Sequence, residues 1–142
     1  MTDATPVGPS DLLRRTAAAT PDRTALVDPH GRLSAGELDE QVTAAALALL
    51  AAGLRQGERV ALQLPTGRDF VTLYLGALRA GLVAVPVNPA YTEPEVRRLL
   101  ADASAALHLD ERSAAALLAG ARPGADPHLD ANGEQLAVLL YT

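Results

Sequence analysis

Arg59-Val-Ala-Leu-Gln-Leu64 runs into Pro65-Thr66-Gly67, and Asp69 to Ala80 then leads through Gly81 to Leu82-Val-Ala-Val-Pro-Val87. The two outer runs are short, aliphatic and bounded by turn residues, the signature of buried strands. Asp69 to Ala80 reads as a helix apolar on most sides, so it is expected to be buried. Gly81 ends it. Two strands joined through a helix in this way pair in parallel, and the crossover covers one face of their sheet.

The reading extends outward from this unit. Upstream, Ser34-x-x-Glu37 is a capping box that opens a helix running to Gly53. Leu38, Val42, Ala45, Ala46 and Leu49 share one face of that helix. Before it, Ala25-Leu26-Val27 and Arg32-Leu33 flank Pro29-His30-Gly31 and predict a hairpin. Ser10 is the expected cap of a first helix, Asp11 to Ala19.

Downstream, Thr92-x-x-Glu95 is a second capping box, and Val96, Leu99, Leu100 and Ala103 form its helix's apolar stripe. Ala105 to Leu109 reads as a strand, and Asp110 caps a helix through Ala119. Gly120 to Gly133 is rich in Gly, Pro and Asp and reads as a surface loop. Leu136 to Tyr141 is the last strand. The expected fold is α/β: a mainly parallel sheet of strands 59–64, 82–87, 105–109 and 136–141, with flanking helices.

Composition removes several function classes. The 142 residues contain no Cys, which excludes disulfides, thiolate metal sites and thiol catalysis. All 12 basic residues are Arg, so the chain supplies no Schiff-base or phosphate-loop lysine. A net charge of −5 argues against nucleic acid or an anionic membrane as partner. The longest apolar stretch, Val42 to Leu54, is too short to span a bilayer. No basic, apolar leader opens the chain, and a cytoplasmic location is expected.

The polar motifs that suggest chemistry are weak. His108-Leu-Asp110 and His128-Leu-Asp130 invite a metal reading, yet zinc sites want three or four convergent ligands. His30 sits at a turn tip, where exposure accounts for it. No G-x-S-x-G, G-x-G-x-x-G or G-x-x-x-x-G-K-[ST] occurs. Asn88-Pro89-Ala90-Tyr91-Thr92 follows a strand's carboxyl end, where α/β proteins place ligand loops. It reads first as a turn and helix cap, with Tyr91 packed as a lid on the turn. Arg97-Arg98 reads as the solvated face of its helix.

Several stretches taken in order resemble the AMP-forming acyl-CoA synthetases. Leu33-Ser-Ala-Gly-Glu-Leu38 is similar to L-T-Y-x-E-L, and Gly53-Leu-Arg-Gln-Gly-Glu-Arg-Val60 to G-x-x-x-G-D-R-V. Leu64-Pro65, Phe70, Leu75 to Gly81, Val85 to Thr92 with Glu95, and Leu99 to Asp102 follow the family order. Leu140-Tyr141-Thr142 resembles the end of the strand that opens into the family's S-G-T-T-G-x-P-K-G phosphate loop. Ala35 replaces the usual aromatic, and Thr66-Gly67 replaces a common Asn-Ser. Asn88 and Thr92 stand where amino-acid-activating domains tend to have Asp and Pro, which favours the acyl-CoA branch.

The resemblance implies that residues 1–142 are the N-terminal portion of the large adenylation domain, cut before the phosphate loop and without the C-terminal domain. It implies a two-step reaction in the complete enzyme. A carboxylate attacks the α-phosphate of ATP with Mg²⁺, and coenzyme A then displaces AMP. Thr142 is the one nucleotide-edge residue that the resemblance assigns here, with no catalytic and no metal residue and no cofactor held by this piece alone. The piece by itself is expected to be inactive. A fatty-acid substrate is the default expectation; amino-acid, aryl and malonyl-type acids remain open. The reading from a different class is a stand-alone, non-catalytic α/β module that binds another protein.

Overall fold

The computed structural model describes residues 8–127 and 135–142. The elements in order are α1 (Pro9–Ala19), β1 (Thr24–Asp28), β2 (Gly31–Ser34), α2 (Ala35–Ala51), β3 (Arg59–Gln63), α3 (Arg68–Arg79), β4 (Val83–Pro86), α4 (Glu93–Ala103), β5 (Leu107–Asp110) and α5 (Glu111–Gly120). β4, β3 and β5 lie side by side in that order, all parallel. β1 and β2 form a separate antiparallel hairpin.

The alternation of side chains along β3 explains the layers. Val60 and Leu62 point to one face, with Ala45, Ala46 and Leu49 of α2, Leu73 and Ala77 of α3, and Ala114 of α5. Ala61 points to the other, with Val96, Leu99 and Ala103 of α4. α3 crosses one face to link β3 to β4. α4 crosses the opposite face to carry the chain past β3 to β5. A third cluster, Leu33, Leu38 and Val42, seals the hairpin onto α2.

Both capping boxes form their reach-back. Glu37 accepts from the Ser34 amide at 2.8 Å, and Glu95 from the Thr92 amide at 2.7 Å. Gly53 and Gly81 have φ values of 96° and 71°, which suits the helix stops predicted there. α2 and α3 approach most closely at Gly76, where an added Cβ would sit 2.9 Å from Ala45 Cβ and 3.2 Å from the Ala46 nitrogen.

The structure corrects the sequence reading in three places. Ser10 is not the cap of α1. Gly8 is, its amide donating to Asp11 at 3.0 Å, while Ser10 is buried inside the first turn. The strand expected from Ala105 starts at Leu107, because Ser104 turns the chain through a left-handed conformation at φ 49°. The segment after α5 is an irregular loop exposed over 122–125, as read, and it is tied at Asp126 by Arg14, with Nη2 to Oδ1 at 2.9 Å. Residues 128–134, including His128 and Asp130, lie outside the described residues.

The last correction concerns Leu136 to Tyr141. This run lies beside β4 but forms one parallel bridge, Ala84 to Val138, instead of a full strand. Ala84 N–H donates to Ala137 C=O and Leu139 N–H to Ala84 C=O, both at 2.9 Å. A longer ladder would need the amides of Leu82 and Pro86, the residues two positions away on the same edge. Leu82 N–H is bonded to Ala77 C=O at 2.9 Å, and proline has none. β4 therefore offers this neighbour a single amide.

Candidate nucleotide-edge site

The loops that leave β3 and β4 and the terminal segment 136–142 are the places where the sequence puts its ligand-like residues. Asn88 Oδ1 accepts from the Ala90 amide at 2.9 Å, closing a turn on itself. Tyr91 is half-buried against the cluster of Val85, Val87, Val96 and Leu99, so it packs as a lid on the turn. Thr92 donates its hydroxyl to Glu95 at 2.8 Å. Those bonds from the Thr92 amide and hydroxyl hold the Glu95 carboxyl below its ordinary range.

The His–Asp motif does not converge. His108 Nε2 lies 2.9 Å from Gln63 Oε1, an oxygen that can only accept. Asp110 caps α5 instead, accepting from the Ser113 amide at 2.8 Å. The Ser113 amide and hydroxyl lower its pKa. No group of three or more His, Cys, Asp or Glu that could hold a metal ion occurs among the described residues. His30 is exposed at the hairpin tip, its amide donating to Asp28 Oδ1 at 3.0 Å. Arg97 lies 3.5 Å from Glu93 on an open helix face, as expected.

Thr142 is exposed at the end of the terminal segment. Its neighbour Tyr141 rests against the α4-side cluster, with Leu139 beside it. The Tyr141 hydroxyl donates to Asp102 Oδ2 at 2.7 Å, on the last turn of α4. That bond raises the phenol's pKa above its ordinary value, against the opposing pull of nearby Arg59. Arg59 in turn donates to the Ala103 carbonyl at 2.7 Å.

Sequence reasoning missed two long-range arrangements. One is Arg79, fully buried between three helices. Its Nη1 donates to Thr43 Oγ1 at 2.8 Å and to the Asp39 carbonyl at 3.0 Å; its Nη2 donates to Asp39 Oδ1 at 2.7 Å and to the Ser10 carbonyl at 3.0 Å. Periodicity offered a faint signal, because an arginine stood in a helix read as apolar on most sides. The other is the pair Arg68–Asp28, two bonds of 2.9 and 3.1 Å that tie the start of α3 to the hairpin. Arg68 lowers the Asp28 pKa. The pair forms part of the wall of a cleft of about 730 Å³, with Val27, Pro65 and Ala115 among its other lining residues.

The donors present do not fit Mg²⁺–ATP on their own. The chain has no lysine, and no metal-binding acid cluster occurs among the described residues. No reaction step is assigned to side chains of this chain. No helix among the described residues is long and apolar enough to cross a membrane.

Comparison with known proteins supplies what the geometry lacks. A medium-chain fatty-acid–CoA ligase of Escherichia coli is 39% identical over 88 residues, 61% of this chain and 16% of that protein. The long-chain-fatty-acid–CoA ligase FadD13 of Mycobacterium tuberculosis is 32% identical over 118 residues, 82% of this chain and 24% of that protein. This chain therefore spans about a quarter or less of the length of these relatives. In structure, a Mycobacterium tuberculosis fatty acyl CoA synthetase superposes with a TM-score of 0.84 at 25% identity, over 94% of this chain and 32% of that one. Residues 13–142 match the family described as AMP-binding enzyme. The ordered motifs, the parallel sheet and this match over nearly the whole chain agree: the protein belongs to the AMP-binding enzyme family.

Proposed function

We propose that this chain is the N-terminal portion of the adenylation domain of an AMP-forming acyl-CoA ligase of the fatty-acid type. The complete enzyme joins a carboxylic acid to coenzyme A, using ATP with Mg²⁺ and releasing AMP and pyrophosphate. The observation that carries the reading is the match of residues 13–142 together with fatty-acid–CoA ligases as relatives. Asn88 and Thr92 favour the acyl-CoA branch over amino-acid activation.

Within that enzyme this portion supplies scaffold. β3, β4 and β5 set the level of the sheet, and Thr142 stands at the edge of the phosphate-binding loop. Its hydroxyl and amide offer one donor each to a phosphate oxygen, and the nest of amides that completes such a site comes from residues beyond it. The chain has no lysine to stabilise a transferring phosphoryl group, and no metal-binding group of acids or histidines occurs among the described residues, so the chain alone is expected to form no acyl-adenylate.

Two measurements test this. Pyrophosphate release with ATP, Mg²⁺ and a panel of carboxylic acids should match a protein-free blank for the 142-residue chain. Saturable, acid-dependent release would overturn the assignment of a purely scaffolding role. Reading the coding DNA past the Thr142 codon should reveal an in-frame Ser-Gly-Thr-Thr-Gly type loop; a native stop codon there would favour a retained binding module instead.

A further inference from the structure

A strand tied to its sheet at one bridge holds its register weakly. It can tilt about that bridge or slip along its neighbour, because successive side chains alternate faces and only a second tie sets the phase. The terminal segment is in that position. β4 gives it the Ala84 amide alone, since Leu82 N–H is bonded to Ala77 and Pro86 has none. Leu136 and Leu140 are 53% and 69% exposed, so packing does not anchor them. Beyond Leu139, Tyr141 holds the segment, with its ring against the α4-side cluster and its hydroxyl on Asp102 at 2.7 Å.

We propose that Asp102 is a positioning residue for the nucleotide edge: by accepting the Tyr141 hydroxyl it sets the register of the terminal segment and the point where Thr142 leaves the sheet. The bridge at Ala84 and the clasp at Asp102 are two points on one short run of chain, and together they fix its line. The inference rests on the reading of Thr142 as the edge of the phosphate loop. It adds a residue on a different element, α4, whose own role is neither to touch nucleotide nor to fill the core. Asp102 suits the task because its helix is rooted on both sides. Val96, Leu99 and Ala103 are buried under the sheet, and the Ala103 carbonyl is held by Arg59 at 2.7 Å. A carboxylate on such a helix is a fixed acceptor, and a charged acceptor makes a stronger bond than a neutral one.

The test uses the 142-residue chain and no nucleotide. Tyrosine ring ¹³C resonances, assigned by replacing Tyr74, Tyr91 and Tyr141 with Phe one at a time, are followed against pH. Tyr141 should titrate at higher pH in the parent chain than in Asp102→Ala. Amide exchange supplies the positional readout, because the Leu139 and Ala84 amides make the bridge. In Asp102→Ala and in Tyr141→Phe their exchange should quicken by about threefold or more, the ratio expected for loss of one net hydrogen bond. Asp102→Asn keeps an acceptor, so it should preserve the protection while losing part of the titration shift. The α4 amides after Val96 should be unchanged in all three variants, which separates positioning from general damage to the helix. The proposal is overturned if Leu139 and Ala84 exchange at the parent rate in both Asp102→Ala and Tyr141→Phe. It is equally overturned if Tyr141 titrates at the same pH in the parent chain and in Asp102→Ala. A failure of the Thr142 reading is distinguishable: it would leave these exchange rates as stated and appear only as pyrophosphate release indifferent to Thr142 in a chain carrying the phosphate loop.

Discussion

The two flanks of the sheet are built on opposite principles. On the α2–α3 flank, helices close over the large cluster around Leu49, Leu62 and Leu73, and their junction is locked by a fully buried arginine. On the outer edge of β4, the terminal segment hangs on a single bridge and one exposed hydrogen bond, with Leu136 and Leu140 open to solvent. Apolar side chains are abundant on both. What differs is the supply of partners for polar groups. Around Arg79, four acceptors converge on the guanidinium. Along β4, donors run out after Ala84. Burial of apolar area sets how much a region can be stabilised, while the count of available donors and acceptors sets where it stops.

The sharpest way to break the contrast is at Arg79. Arg79→Met removes the donors but leaves the Asp39 carboxylate, the Thr43 hydroxyl and the Ser10 carbonyl without their partner. It also removes the cation 3.8 Å from Asp126. Losing one member of a fully buried ion pair typically costs about 3–5 kcal/mol, and because the Asp39 carboxylate left behind is partly exposed the loss here should fall at or below the lower end of that range. Thermal melts should show the largest drop of any single substitution on this flank. Arg79→Lys should recover only part, because an ammonium cannot span the same four acceptors with fork geometry. A melting temperature unchanged in Arg79→Met would mean that the network is incidental to the fold.

A smaller effect is expected at Gly76. Alanine is the better helix former by about 1 kcal/mol, yet its Cβ would meet Ala45 Cβ at 2.9 Å and the Ala46 nitrogen at 3.2 Å. The second neighbour is backbone, which cannot rotate away. Overpacking of this kind costs about 1–3 kcal/mol, so the clash should outweigh the propensity. Urea unfolding of Gly76→Ala should give a lower midpoint with an unchanged slope. A higher midpoint would show that α2 and α3 can part freely, and the two flanks would then differ less than the packing implies.

The parts of this fold that were legible in the sequence are those decided by local chemistry. The hairpin, both reach-back caps, the left-handed glycines and the parallel strand–helix–strand unit depend on residues a few positions apart, and all appear where the pattern puts them. The parts that were not legible depend on residues far apart in the chain. Ser10 has a cap's composition, but it lies inside the first turn, buried against the helix junction where its carbonyl accepts from Arg79. Leu136 to Tyr141 has a strand's composition, but strand formation needs donors from a neighbour, and the proline that withholds one lies at position 86. Of the candidate site, Thr142 was reached by resemblance alone. Its surroundings at Tyr141 and Asp102 had no signature, because a hydrogen bond between residues 39 apart leaves none.

Pro86 offers a way to narrow the contrast instead of widening it. Pro86→Ala would give β4 a second amide on the edge that faces Leu139. The new bond should lengthen the bridge into a short ladder and slow exchange at Leu139 and Tyr141. A net hydrogen bond contributes about 0.5–1.5 kcal/mol, and losing proline's restriction of the unfolded chain removes about 0.4–1 kcal/mol. The two nearly cancel, so the melting temperature should barely move while local protection rises. A change in global stability without a change at Leu139 would show that the missing donor is not what limits the segment.

The smallest expected effect is the acid limb of stability, and its sign follows from three carboxylates. Asp28 is lowered from an ordinary 3.8 chiefly by its bond from Arg68. Asp110 is lowered from 3.8 by the Ser113 amide and hydroxyl, and Glu95 from 4.5 by those of Thr92. A carboxylate whose folded pKa lies below its unfolded one binds fewer protons in the native state. Its contribution is therefore complete above the unfolded value and is lost as pH falls through the folded one. Stability should be flat with respect to these groups above about pH 5, a unit or so beyond the ordinary carboxylate range, and should decline once pH drops below about 4. All three groups lie near the surface, where salt screens the charge part, so the decline should be shallow. The Arg68–Asp28 pair holds the hairpin, and the other two cap α4 and α5. Arg68→Gln should flatten part of the acid limb, since Asp28 then loses its main reason to stay ionised. If the limb is as steep in Arg68→Gln as in the parent, the hairpin pair contributes nothing to it, and the caps of α4 and α5 account for the whole.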